Sequence, residues 1–183
     1  MNKIPFSLQP FDVSTKDSLD IAISGEVILN KNTFQIHYQL LGNISDVNFP
    51  KLSQTISRKD KLWESTCFEV FMARPGSPCY WEYNLSPSQD WAVFSFTDYR
   101  ENKTNELSIS SIDIETKFDN GKQFELNSFL SLPDALIGHS LCLGISAVIQ
   151  DRQGDIYYYA LDHHKQQPDF HDPNCFIINI NND

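Results

Sequence analysis

The 183-residue sequence predicts an all-β fold, a single-domain antiparallel β-sandwich of jelly-roll type with about ten strands. Three observations carry that expectation. Apolar and polar residues alternate with period two along most of the chain, the spacing at which successive side chains leave opposite faces of a strand. Turn-forming clusters recur between these runs, as they do between the short strands of sandwiches. Hydrophobic residues reach 40% and aromatics 13%, enough to fill a core and too many for a disordered chain.

The elements follow in order. SLDIAISGEVILN (18–30) and TFQIHYQLLG (33–42) are a predicted strand pair around the turn NKN. TCFEVFMA (66–73), CYWEYNLS (79–86) and WAVFSFTDY (91–99) read as a meander, with RPGSP and PSQD as its turns. LSISSIDIETKF (107–118) and KQFELNSF (122–129) flank DNG, and LCLGISAVI (141–149) and IYYYAL (156–161) flank RQGD. CFIINI (175–180) closes the set, and SLPDALIG (131–138) is a weak helical candidate. Two irregular stretches, 45–65 and 163–174, are long for a compact domain, and such loops often carry function. No repeat, linker or low-complexity tract divides the chain, so one domain is expected over 1–183.

The formal net charge of −10 and pI near 4.8 would repel a phosphate backbone or an anionic bilayer surface. Neither nucleic acid nor membrane is therefore expected as a partner, and oligomeric state is left open. The opening MNKIPFSLQPFDVS lacks the apolar core of a secretory signal. No apolar run approaches the ~20 residues that span a bilayer. The expectation is a soluble cytoplasmic protein. Cys67, Cys79, Cys142 and Cys175 form no CxxC pair, which in a reducing compartment reads as small buried apolar residues.

Alternation sorts the central strands into two faces. Phe68, Val70 and Met72 share one, with Trp81, Tyr83 and Leu85 on the next strand; Cys67, Glu69 and Phe71 share the other, with Tyr80, Glu82 and Asn84. If the two strands pair, Glu69 and Glu82 fall on one half-apolar face, where unpaired charge is costly. Arg58 and Arg100 are the expected counter-charges. A structural reading makes this a solvated face or a bracing ion pair. A binding reading makes it a concave carbohydrate site, where flat aromatics stack on sugar C–H faces and acids, amides and guanidinium groups take hydroxyls. Trp63, Tyr80, Glu82, Asn84, Trp91, Tyr99 and Arg100 supply that chemistry, although each tryptophan singly also suits a core. Paired acids raise glycoside hydrolysis as well, with no recognisable catalytic signature to support it. LDHHKQQPDFHDP (161–173) gathers His163, His164, Asp169, His171 and Asp172, but in no standard metal-loop spacing. No metal ligand, cofactor or catalytic residue is assigned. P-loop, GxGxxG, GxSxG and HExxH are absent. Trp63 and His171, each in a long loop, are expected to meet at one end of the sandwich.

RKDKLWESTCFEVFMA (58–73), YWEYNLSPSQDWAVFSFTDYR (80–100) and YALDHHKQQPDFHDPNCF (159–176), in that order, resemble bacterial DOMON-like domains. The subgroup they resemble is the one associated with UDP-N-acetylenolpyruvoylglucosamine reductase. That family is similar to family-nine carbohydrate-binding modules and to haem-binding DOMON domains. The resemblance, over roughly residues 20 to 180, implies a β-sandwich with a ligand site on one sheet face or its rim. It points to Arg58, Trp63, Glu64, Glu69, Tyr80, Glu82, Asn84, Trp91 and Arg100 in the middle block, and to His163, Asp169 and His171 in the closing one. The haem variant generally uses a methionine and a histidine as axial ligands. Met72, the only internal methionine, falls on the core face, so no haem is expected. The function expected is non-catalytic carbohydrate binding, with glycoside hydrolysis or haem or metal binding as alternatives.

Overall fold

A computed structural model describes residues 2–11, 19–30, 33–119 and 121–181. Lys31 and Asn32 of the predicted NKN turn, Asn120 of DNG, and Ser18 of the first predicted strand lie outside them. Among the described residues the strands are β1 (Asn2–Pro10), β2 (Ile21–Asn30), β3 (Thr33–Gly42), β4 (Cys67–Ala73), β5 (Tyr80–Leu85), β6 (Trp91–Phe96), β7 (Thr104–Asn105), β8 (Asp113–Asp119), β9 (Gln123–Ser131), β10 (Leu141–Gln150), β11 (Ile156–Ala160) and β12 (Ile178–Ile180). All their pairings are antiparallel. The order is β7-β6-β5-β4-β10-β11-β1-β2-β3-β9-β8, with β12 added on β10. The all-β sandwich is as expected.

One strand turns the corner between the layers. Residues 2–8 of β1 pair with β2, while Gln9 and Pro10 pair with β11. No strand is predicted over 2–10, a stretch that carries Pro5 and Pro10. Pro5 is tolerated because β1 has a partner on only one side there, and a missing N–H on the open side forfeits no ladder bond. Ile4, Phe6 and Leu8 keep period two and pack into the core or against it.

The layers meet through the alternating set. Phe68 lies 4.8 Å from the Tyr38 ring and stacks on Phe124 at 5.7 Å, bringing β4 onto β3 and β9. Two phenols tie the sheets where a buried hydroxyl needs a partner: Tyr38 donates to the Glu69 carbonyl at 2.8 Å and Tyr83 to the Ser131 carbonyl at 2.7 Å. Met72 is fully buried in this core.

Three expectations need correction. SLPDALIG holds turns rather than a helix: Leu136 bonds back to Pro133 and Ile137 to Asp134. Pro133 and a positive-φ Gly138 bracket too few residues for a helical ladder. The run 107–118 is a strand only from Asp113, because Ile109 and Ile112 enter the core from an irregular segment. Cys67 and Cys175 are buried as expected, but Cys79 and Cys142 are only half-buried.

Candidate functional site

β4, β5 and β6 are buried on both faces. Their second face does not meet a sheet. It carries its own cluster of Phe71, Ala73, Tyr80, Ala92, Phe94, Phe96 and Phe176, with Trp63 and Phe170 packed beside it. Register fixes this face: Glu69 opposes Asn84 and Ser146, Phe71 opposes Glu82, and Glu82 opposes Phe94. Glu69 and Glu82 are thus diagonal neighbours on one side of the sheet, as the alternation predicted.

The cover comes from three segments. β11 and β12 occupy the same edge of β10, opposite its residues 146–150 and 141–143, and the chain between them leaves that edge through the gap. It folds over the sheet with Phe176 pressed on Gly144, where a Cβ would stand 2.6 Å from the Phe176 ring. The segment 45–65 is moored at the β5–β6 turn. There buried Asp90 accepts from Ser53, the Ser57 N–H and Lys59, whose Nζ lies at 2.7 Å. The corner 97–103 is the third, with Arg100 and Asn102 both in the left-handed region.

Between floor and cover lies a cavity of about 570 Å³ lined by Trp63, Glu69, Glu82, Phe96, Arg100, Lys103, Val148, Tyr158, Gln167, Pro168, Phe170 and His171. Trp63 and His171 line it together, so the two long loops do meet. Asp169 fastens the rim. Its carboxylate accepts from Tyr99 Oη at 2.6 Å, Arg100 Nη2 at 2.8 Å, Lys165 Nζ at 2.5 Å and the His171 N–H at 3.2 Å. Those donors hold its pKa well below the usual carboxylate range against the opposing effect of burial.

Burial dominates the electrostatics of the floor. It pushes the Glu69 carboxyl well up, and the neighbouring Glu82 adds to the rise while Ser146 and Arg100 oppose it. Glu82 is raised by burial too, against the Asn84 hydrogen bond and the charges of Lys103 and Arg100. Burial lowers His171 to about 3, with Arg100 adding to the effect, so its imidazole is neutral. Tyr80 rises to about 12, mainly through burial. Its hydroxyl accepts from the Arg100 N–H at 3.0 Å and lies 2.8 Å from His171 Nδ1. The phenol and the imidazole thus share a hydrogen bond whose donor is set by the imidazole tautomer.

The structure divides the sequence-predicted set. Trp63, Glu69, Glu82, Arg100 and His171 line the cavity. Tyr80, Asn84 and Asp169 stand behind them, Asn84 donating to Glu82 Oε1 at 2.6 Å. Four do not join them. Arg58 is not the partner of Glu69 or Glu82: it donates to the carbonyls of Val93, Glu106 and Ile109 and stacks 4.3 Å from the Trp91 ring. Arg58 bridges Trp91 at the start of β6, and the acceptors it reaches there are backbone carbonyls. Trp91 is a core residue. Glu64 is exposed and pairs with Lys61, and His163 sits on Phe11 with Nε2 at 2.9 Å from the Gln9 carbonyl oxygen. Among the described residues no three His, Cys, Asp or Glu side chains gather as a metal site. Met72 and His171 fall on opposite faces of the sheet, which separates the two residue types a haem pair would need.

Phe96, Lys103, Tyr158 and Phe170 were not in the predicted set. One signal for Phe96 was present: WAVFSF is apolar on both faces, as a strand covered on both sides must be. Lys103 lies over the Trp63 and Phe94 rings at 4.1 and 3.8 Å, and Phe170 meets Tyr158 edge-on at 5.9 Å. The contact of Lys103 with Trp63 joins two separate loops, and no local pattern announces it.

Fold and cavity together define a β-sandwich with a lined hollow on the outer face of one sheet. No family model matches the chain, and no curated protein matches it. A solved protein from Bacteroides uniformis ATCC 8492, provisionally described as carbohydrate-binding, is similar in fold at TM-score 0.67 and 15% identity, over 94% of this chain and 84% of that one. A family-nine carbohydrate-binding module from Caldicellulosiruptor kristjanssonii in complex with glucose aligns at TM-score 0.46 and 10% identity, over 80% and 69%. The module in complex with cellotriose aligns at TM-score 0.48 and 10% identity, over 80% and 68%.

Proposed function

We propose that the protein binds a carbohydrate in this cavity without converting it. The observation that carries the reading is the composition of one hollow: Trp63, Phe96, Tyr158 and Phe170 around Glu69, Glu82, Arg100 and Lys103. Aromatic faces suit sugar C–H groups, and carboxyl and guanidinium groups suit hydroxyls. Its 570 Å³ falls within the range of about 300–1,000 Å³ typical of small-molecule sites. The description of the Bacteroides protein as carbohydrate-binding agrees with it. The DOMON-like affinity and a cytoplasmic setting belong to the same proposal.

A glycan array followed by calorimetry tests this. Saturable binding without turnover is expected, with dissociation constants of about micromolar to millimolar. Trp63→Ala should weaken binding, and a full panel with no binder would end the proposal. Glycoside hydrolysis is the second reading, favoured by two buried carboxyls with raised pKa in one cavity. Release of reducing ends that is lost in Glu82→Gln would replace the first reading with the second.

A further inference from the structure

The cavity floor carries two carboxyl groups, and among the described residues no lysine or arginine touches them. Glu69 is 3% exposed, and among the described residues its carboxyl has one donor, the Ser146 hydroxyl at 3.3 Å from Oε2. Glu82 is 5% exposed; Asn84 serves Oε1, and Oε2 has only His171 Nε2, at 3.8 Å. Glu69 Oε1 and Glu82 Oε2 therefore lack a donor at hydrogen-bond distance. No buried polar side-chain atom in the described structure is left without a partner, so these two oxygens reach open space. Both side chains line the cavity, which is the space they reach.

The cations at the wall are committed elsewhere. Arg100 Nη2 is 2.8 Å from Asp169, and Lys103 Nζ is 3.2 Å from Asp60 while lying over two aromatic rings. His171 is held neutral by burial. Two like carboxyls with open oxygens, neither in contact with the Arg100 or Lys103 charge at the wall, suit a ligand that brings a positive charge to them.

Resting on the carbohydrate reading, we infer that the ligand is an amino sugar whose protonated primary amine docks between Glu69 and Glu82. A compact ammonium has three donors spread in space, which suits oxygens offered by two strands; a planar guanidinium favours both oxygens of one carboxylate. A neutral sugar could donate hydroxyls but would bring no positive charge to the two acids. Facing the pair are Arg100, Lys103, Asp60, His171 and Tyr80 on the cavity side, with Cys67 and Tyr38 behind Glu69. Burial favours the protonated carboxyls and an ammonium favours the ionised ones, so binding releases protons to solvent, and affinity climbs with pH until the amine itself deprotonates.

Calorimetry of the whole chain against tetrameric glucosamine, cellotetraose and tetrameric N-acetylglucosamine, with putrescine and magnesium chloride as controls, tests this. The glucosamine oligomer should bind at least about tenfold tighter than the other two, as a charge-assisted bond replaces a neutral one. Its enthalpy should vary with buffer in the sense of proton release. Glu69→Gln and Glu82→Gln, with folding checked by circular dichroism, should erase the preference; the buffer dependence tests wild type with no variant. Equal or tighter binding of cellotetraose or the N-acetyl oligomer overturns the ammonium proposal and leaves the carbohydrate reading standing. Putrescine binding with no sugar bound overturns the carbohydrate reading and keeps the carboxyl–ammonium site. Magnesium that displaces the amine overturns the ammonium assignment, and a null result throughout overturns both.

Discussion

The inner and outer faces of β4–β6 share one backbone and nearly the same burial, yet their chemistry differs. Phe68, Val70, Met72, Trp81 and Tyr83 face the opposite sheet, with Trp81 Nε1 and the Tyr83 hydroxyl satisfied at the margins. The outer face interleaves Phe71, Phe94 and Phe96 with Glu69, Glu82 and Asn84. The covering element makes the difference. Two sheets close at roughly 10 Å and side chains fill the gap completely. A loop fastened at Asp169 and Phe176 need not follow the sheet, and it leaves a hollow. Carboxyl groups persist on the face that keeps a hollow, because there they can meet solvent or a ligand.

The largest effect should come from the inner face. Phe68→Ala removes the ring between Tyr38 and Phe124, with an expected loss of about 3–5 kcal/mol in urea unfolding. A loss below about 1 kcal/mol would break the comparison, since it would mean that the inner face is not close-packed. Next comes Arg58→Ala, which strips the donors from three carbonyls and uncovers Trp91. Unfolding should show a loss of about 2–4 kcal/mol, with ligand affinity unchanged. Lost affinity in a folded variant would return Arg58 to the site.

The outer face should respond to pH instead. A carboxyl whose pKa rises on folding binds more protons in the native than in the unfolded state, between its unfolded value of about 4.3 and its higher folded value. Stability then falls as pH rises through that window. Glu69→Gln cannot ionise, so it should gain on wild type as pH rises and show no such gain near pH ~4; a constant difference would contradict the raised value. His171 works in the opposite sense. With a folded pKa of about 3 against an ordinary 6.5, it binds fewer protons folded than unfolded, and its contribution is lost as pH falls from 6.5 toward 3. Its imidazole resonances should stay those of the neutral ring at pH ~5, where an ordinary histidine is charged. The smallest effect belongs to Glu64→Ala. This exposed pair with Lys61 should shift stability by less than about 0.5 kcal/mol and leave ligand affinity unchanged.

Much of this architecture was legible in the residues. Period-two alternation put Glu69, Tyr80, Glu82 and Asn84 on one face and Phe68, Met72, Trp81 and Tyr83 on the other, and register bears out each assignment. Alternation is a property of the backbone, which is why a local pattern suffices to read it. The first strand is not read from the sequence, where Pro5 and Pro10 interrupt a stretch that is open on one side over most of its length. Arg58 was misplaced because proximity in sequence to a strand does not say over which edge a long side chain turns.

What the sequence by itself determined was therefore most of the strands, the two faces of the central ones and the pairing of two acids on one of those faces. Which face would be covered by a sheet and which by a loop was decided only in three dimensions. β11 and β12 share one edge of β10, and the chain between them must leave through that gap and return. That path brings Phe170 and His171 over β5, about ninety residues earlier in the chain, as the Tyr80–His171 contact records. The physical reason is that side-chain direction is fixed within two residues, whereas the partner of a face is selected by long-range register and packing.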